Sequence, residues 1–212
     1  MTDSSGRQPI PDAISGPRVI AIARGLPADR IERIAEGLVN GGIRAFEITL
    51  NSPGALGAIE AAAARAGDRL LVGAGTVLDV ESAAAAVDAG ARFLVSPHTD
   101  PVLIDWALVR GIPIVPGAFS PTEILAAWRS GATAVKVFPA SAVGPSFVRE
   151  FMGPFRDIPL IPTGGVTIDT APTFIAAGAI AVGLGSWLTG DGEPEGIAER
   201  SARLVEVLAA TG

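Results

Sequence analysis

Arg129-Ser130-Gly131-Ala132-Thr133-Ala134-Val135-Lys136-Val137-Phe138 joins the end of a helical stretch, a glycine stop and a β-rich run. A glycine just past a helix takes the left-handed turn that closes it, and the small, β-branched and aromatic residues beyond suit a buried strand. Three other stretches repeat this order: Gly41-Gly42-Ile43-Arg44-Ala45-Phe46-Glu47-Ile48, Asp88-Ala89-Gly90-Ala91-Arg92-Phe93-Leu94-Val95 and Ala176-Ala177-Gly178-Ala179-Ile180-Ala181-Val182. Working outward, eight candidate strands emerge, at residues 18–23, 44–50, 70–72, 92–95, 112–115, 132–138, 160–161 and 179–182. Helical stretches lie between them. Pro27, Asp79 with Glu81, Pro121-Thr122-Glu123 and Asp169 mark helix starts. A repeat of roughly 20–26 residues suits a compact βα unit.

Eight such units predict an α/β fold, a (β/α)8 TIM barrel in a single domain over residues 17–212. Residues 1–16 are polar and rich in Pro, Gly and Ser, and are expected to form a flexible N-terminal tail. A doubly wound sheet is the alternative. The turn after the first strand, Ala23-Arg24-Gly25-Leu26-Pro27, lacks the glycine fingerprint that such a sheet often carries there.

Composition narrows the function. The chain has 212 residues, 49% hydrophobic and 18% charged, enough apolar surface for a substantial core. No apolar run reaches the length of a bilayer span, and residues 1–17 carry no apolar segment of the secretory type, so no membrane partner and a cytoplasmic location are expected. Cysteine is absent and His98 is the only histidine, which removes thiol chemistry and argues against a metal centre. A net charge of −6 argues against nucleic acid as a partner. Small anions are not excluded, because local Arg and backbone N–H groups can hold one.

Of the 16 cationic residues, Lys136 is the only lysine. Strand residues alternate faces, so Val135 and Val137 point to the helices while Ala134, Lys136 and Phe138 point inward. In the second strand Phe46, Ile48 and Leu50 share the outer face, and Glu47 and Thr49 point inward. An ammonium and a carboxylate buried in one apolar interior must be paired or neutralised. One reading is a structural ion pair. The other is a lysine nucleophile: burial favours the free amine, which attacks a carbonyl to form a Schiff base, with Glu47 moving protons.

Glycine-bearing turns follow three strands. Gly73-Ala74-Gly75-Thr76 allows close approach to the backbone and adds a hydroxyl. Thr163-Gly164-Gly165-Val166 and Gly183-Leu184-Gly185-Ser186 follow the last two strands, the place where barrels of this kind often bind phosphate on bare amides. Arg24 could hold a carboxylate or phosphate or be a surface cation. Asn51 is free to face a ligand, whereas Ser52 reads as the cap of the next helix with Pro53 at its first position. His98 reads as an incidental loop residue, and Trp106, Trp128 and Trp187 as packing residues.

Taken together, Glu47-Ile48-Thr49-Leu50, Gly73-Ala74-Gly75-Thr76-Val77, Lys136-Val137-Phe138-Pro139-Ala140 and Pro162-Thr163-Gly164-Gly165-Val166 resemble the 2-keto-3-deoxy-6-phosphogluconate (KDPG) and 6-phosphogalactonate (KDPGal) aldolase family, from about residue 19 to 187. The resemblance implies a class I aldolase, a homotrimer needing neither cofactor nor metal. It would cleave a phosphorylated 2-keto-3-deoxy acid to pyruvate and glyceraldehyde 3-phosphate. It implies that Lys136 is the Schiff-base lysine and Glu47 the general acid and base. Arg24, Asn51, Thr76, Thr163 and Phe138 would contact substrate, and Gly164, Gly165, Gly185 and Ser186 would hold phosphate. Asn51 stands where the gluconate enzymes commonly carry Arg. Leu50-Asn51-Ser52-Pro53 looks like the galactonate type, while Thr49 and Thr163 look like the gluconate type. Alternative functions are an aldolase for a smaller acid such as 4-hydroxy-2-oxoglutarate, and a non-catalytic sugar-phosphate-binding barrel.

Overall fold

The structure, a computed structural model, describes residues 6–190 and 194–211. Among these residues strands and helices alternate. The strands are β1 (Val19–Ala23), β2 (Ala45–Thr49), β3 (Leu71–Gly75), β4 (Leu94–Val95), β5 (Ile114–Val115), β6 (Gly117–Ala118), β7 (Val135–Val137), β8 (Leu160–Pro162) and β9 (Val182–Leu184). The helices are α1 (Asp12–Ser15), α2 (Ile31–Asn40), α3 (Ala55–Ala66), α4 (Val80–Asp88), α5 (Pro101–Val109), α6 (Pro121–Arg129), α7 (Gly144–Met152), α8 (Ala171–Ala176), α9 (Ser186–Thr189) and α10 (Pro194–Ala209). Every strand pair is parallel, which is what helices between successive strands require.

The strands form a six-stranded sheet in the order β5-β4-β3-β2-β1-β9 and a three-stranded sheet in the order β6-β7-β8. Pro116 lies between β5 and β6. It cannot donate to a ladder, and the fifth expected strand becomes two short pieces assigned to different sheets. Hydrogen bonds cross both seams. On one side the Thr133 amide donates to the Ile114 carbonyl at 2.9 Å and the Lys136 amide to the Pro116 carbonyl at 2.9 Å. On the other the Ile180 amide donates to Leu160 at 3.0 Å, and Thr163 bridges Gly183 in parallel.

Two apolar layers follow from strand alternation. Phe46, Ile48, Val135 and Val137 pack in the layer that includes the helices' buried faces. Ile20, Ile22, Ala45, Phe93, Val95, Val115, Ala134 and Ile161 form a second, separate cluster on the opposite face. Helix ends are fixed locally. Asp79 and Ser82 make a capping box for α4, and Ser120 and Glu123 one for α6, as the start signals there led one to expect. No helix among the described residues is long and apolar enough to cross a membrane.

Three expectations are corrected. Residues 6–16 are not a loose tail: Arg7 Nε donates to the Ala132 carbonyl at 2.8 Å, α1 forms, and Ile14 is 1% exposed inside the second cluster. Apolar residues at 10 and 14 supply a plug that the polar composition hid; residues 1–5 lie outside the described residues. Ser52 does not cap α3, whose N-cap is Gly54. The last strand begins three residues later than expected, at Val182, because Ala179 to Ala181 finish the approach from α8.

Ile14→Ala should cost about 2–5 kcal/mol, as for other fully buried Ile truncations. Thermal unfolding measures it; a dispensable tail would leave Tm unchanged.

Candidate active site

Lys136 sits mid-way along β7, paired with Gly117 of β6 and Ile161 of β8. It is 2% exposed. Its Nζ lies 4.8 Å from the centre of the Phe138 ring, and among the described residues no hydrogen bond or ion pair holds it. Glu47 sits mid-way along β2, paired with Ile22 and Gly73, and is 1% exposed. Its Oε1 is buried with no hydrogen-bond partner among the described residues. The carboxylate occupies the room that a side chain at Gly75 would need, so the glycine two residues along β3 is there to admit it. The structural ion pair is therefore not made. The two groups share an interior without touching.

Their titration reflects that burial. Burial pushes the Glu47 carboxyl above its ordinary range, and the charges of Lys136 and Arg24 pull it back without reversing the shift. Burial pushes the Lys136 amine below its ordinary value; Glu47 opposes this and Arg24 adds to it. Both shifts run toward the uncharged forms, the ones that carbonyl addition by an amine and proton donation by a carboxyl use.

Two residues beyond Lys136 and Ile161 on the same inward side come Phe138 and Thr163. Both line a cavity of about 580 Å³ with Arg24, Gly164, Gly165, Gly185 and Ser186. Lys136 and Glu47 are not among its lining residues; the cavity opens from the next layer of side chains along the strands. Gly164 and Gly165 take φ of 93° and 75°, which L side chains rarely adopt, and leave their loop bare of side chains. Arg24 is exposed and, among the described lining residues, alone carries charge. Thr163 is buried, its hydroxyl donating to the Ile161 carbonyl at 3.3 Å.

The other expected residues are spread more widely. Thr76 follows β3 at a φ of 56°, a strained conformation for a β-branched residue, and is half-buried outside the cavity lining. Asn51 is exposed and likewise outside it. His98 is exposed, its Nδ1 3.0 Å from the Ser96 hydroxyl. Trp187 is more than a packing residue, since it lines the cavity, and Trp128 and Trp106 carry the guanidinium groups of Arg7 and Arg110 at 3.4 and 4.3 Å. Thr167, Thr189 and Gly190 also line the cavity and had no signal in the sequence beyond their position after the last strands.

The KDPG and KHG aldolase family matches residues 10–198. The chain belongs to this family. It is 39% identical over 171 residues to a probable 2-dehydro-3-deoxy-6-phosphogalactonate aldolase of Rhizobium meliloti, covering 80% of this chain and 81% of that one. It is also 39% identical over 173 residues to the 2-dehydro-3-deoxy-phosphogluconate aldolase of Pseudomonas aeruginosa, covering 78% of each. Among solved structures, a native KDPGal structure superposes with a TM-score of 0.86 at 34% identity, covering 91% of this chain and 95% of that one. A KDPG aldolase of Legionella pneumophila, captured with pyruvate as a covalent carbinolamine intermediate, superposes at 0.78 with 28% identity, covering 94% and 96%.

A family member with an unpaired buried amine carries a measurable cost. Unfolded, Lys136 titrates near 10.5; folded, lower. Between these values the unfolded chain binds more protons, so stability rises with pH through the window, and below the folded value the cost is complete. Lys136→Met, similar in size and uncharged, should raise Tm at neutral pH, with an advantage that shrinks as pH approaches 10.5. Thermal unfolding across that range checks it, and a less stable variant at neutral pH contradicts it.

Proposed function

We propose that this chain is a Schiff-base aldolase that cleaves a 2-keto-3-deoxy-6-phospho sugar acid to pyruvate and glyceraldehyde 3-phosphate. The observation that carries the reading is the buried, unpaired Lys136 amine beside the orphaned Glu47 carboxyl, beneath a cavity edged by Arg24 and two glycine loops. Membership of the family and the names of its relatives support it.

The fold supplies the setting. The hydrogen bonds across both seams support reading the two sheets as one (β/α)8 barrel, with β5 and β6 as a single strand broken at Pro116. In a barrel the chemistry sits at the carboxyl ends of the strands, which is where Phe138, Thr163 and the glycine loops lie. The family resemblance adds a homotrimer to the reading.

The neutral Lys136 amine attacks the C2 ketone. The Glu47 carboxyl gives its proton to the carbinolamine hydroxyl, water leaves, and the resulting protonated imine draws electrons from the C3–C4 bond. Glu47, as carboxylate, takes the C4 hydroxyl proton. The C3–C4 bond breaks, the aldehyde leaves, and the electron pair stays on C3 as an enamine. Glu47 returns the proton to C3, and water releases pyruvate and the free amine. A carboxyl with a raised pKa serves both directions of that transfer. Arg24 and the amides of Gly164, Gly165, Gly185 and Ser186 hold the anionic groups, Phe138 and Thr163 line the chain of the substrate, and Thr76 and Asn51 approach from the loops after β3 and β2. The size of the cavity and the bare amides favour a phosphorylated acid over 4-hydroxy-2-oxoglutarate.

Borohydride reduction in the presence of pyruvate should fix an adduct on Lys136, located by intact mass and peptide mapping. Lys136→Ala and Lys136→Arg should give none, since a guanidinium is not a usable nucleophile. Glu47→Gln should still trap pyruvate while turnover falls about 10²–10⁴-fold. A folded protein that forms no adduct overturns the reading.

A further inference from the structure

Ser52 stands out once its role as a helix cap is removed. It is 8% exposed, and its hydroxyl makes two contacts that join separate elements. The Gly25 amide, 27 residues earlier in the loop after β1, donates to Ser52 Oγ at 2.8 Å. Ser52 Oγ also lies 2.9 Å from Thr49 Oγ1, a fully buried hydroxyl two residues beyond Glu47 on β2. The bridge therefore runs from the strand that carries Glu47, through two hydroxyls, to the peptide that follows Arg24.

That peptide needs an anchor. Gly25 turns the chain at a φ of 65°, directly after β1 ends at Ala23, and nothing lies within 4 Å of where its side chain would be. Arg24, at this open turn, is the charged residue on the cavity wall, and its charge acts on both Glu47 and Lys136. A long cation on an unanchored loop would lose rotamer and backbone freedom on each binding event; one held in advance loses less. A buried hydroxyl accepting from the loop's own amide supplies that restraint, and the second hydroxyl fixes the first.

We propose that Ser52, backed by Thr49, is a positioning residue that holds the Arg24 loop so that the guanidinium meets the anionic group of a ligand in the cavity. The proposal rests on reading the cavity as an anion-binding aldolase site, and it makes Ser52 act through Arg24 rather than on the reacting atoms.

The test compares wild type, Ser52→Ala, Ser52→Thr, Arg24→Ala and the Ser52→Ala/Arg24→Ala double variant. With the phosphorylated keto acid as substrate, Ser52→Ala should raise KM about tenfold, the worth of roughly one hydrogen bond, and leave kcat within about twofold. Ser52→Thr, which keeps the hydroxyl, should restore KM. In the Arg24→Ala background the Ser52→Ala change should move KM by less than about twofold, because the residue it acts through is gone. Titration with inorganic phosphate reads the same coupling without turnover: affinity should fall in Ser52→Ala and fall no further in the double variant. Should Ser52→Ala fail to fold, Thr49→Val, which removes the backing hydroxyl at similar volume, is run through the same comparisons.

Equal KM and equal phosphate affinity in Ser52→Ala and wild type overturn the proposal. So does the same loss with and without Arg24, which marks a merely structural serine. Pyruvate trapping separates this from the parent reading. A wild type that forms no imine fails as an aldolase, and the phosphate titration then decides the role of Ser52 by itself.

Discussion

A lysine and a glutamate lie in an apolar interior close enough to feel one another and too far apart to pair. Taking either ion from water costs several kcal/mol, and a contact ion pair would recover part of it. Here that recovery is forgone: among the described residues Glu47 Oε1 has no partner and Lys136 is held by nothing but its strand and the Phe138 ring. The surrounding structure must then hold the two groups apart. It does so by placing them on strands of different sheets, each flanked by parallel neighbours, and by clearing space for the carboxylate with Gly75. A gap between an amine and a carboxyl is where a carbonyl substrate can enter, so the destabilising arrangement and the chemistry are the same feature.

Stability comes from elsewhere in the same fold. The inner face is apolar toward the amino ends of the strands, where Ile14, Ile20, Ala45 and Ala134 pack together. Polar groups appear only further along, at Glu47, Thr49, Lys136 and Thr163. Burial at one end thus offsets the unpaired groups at the other. Helix α1, which contributes Ile14, belongs to that closed end.

An acidic chain of net charge −6 binding a substrate with two anionic groups, a carboxylate and a phosphate, needs its attraction to be local. Two bare glycine loops offer amides without adding charge, and Arg24 adds one cation at the cavity wall. One cation in one place makes its orientation matter, which is why a hydroxyl bridge between two loops bears on binding.

The sequence by itself determined the alternation of strand and helix, because glycine stops and period-two runs are local signals. The inward placement of Glu47, Thr49, Lys136 and Phe138 followed from the same period, and Lys136 stood out as the only lysine. The lysine–glutamate set and the glycine loops were legible for that reason. What the tertiary structure decided depended on partners far apart in the chain. Whether Lys136 and Glu47 pair is a question of distance between β2 and β7. The split of the fifth strand depends on which neighbour each half meets across Pro116. The burial of Ile14 needs an interior that only the assembled strands create. Ser52 looked like a cap because Pro53 after it fits the first position of a helix, and its true partner, the Gly25 amide, is 27 residues away. Periodicity fixes which way a side chain points; only the packing of the strands against one another fixes what it meets.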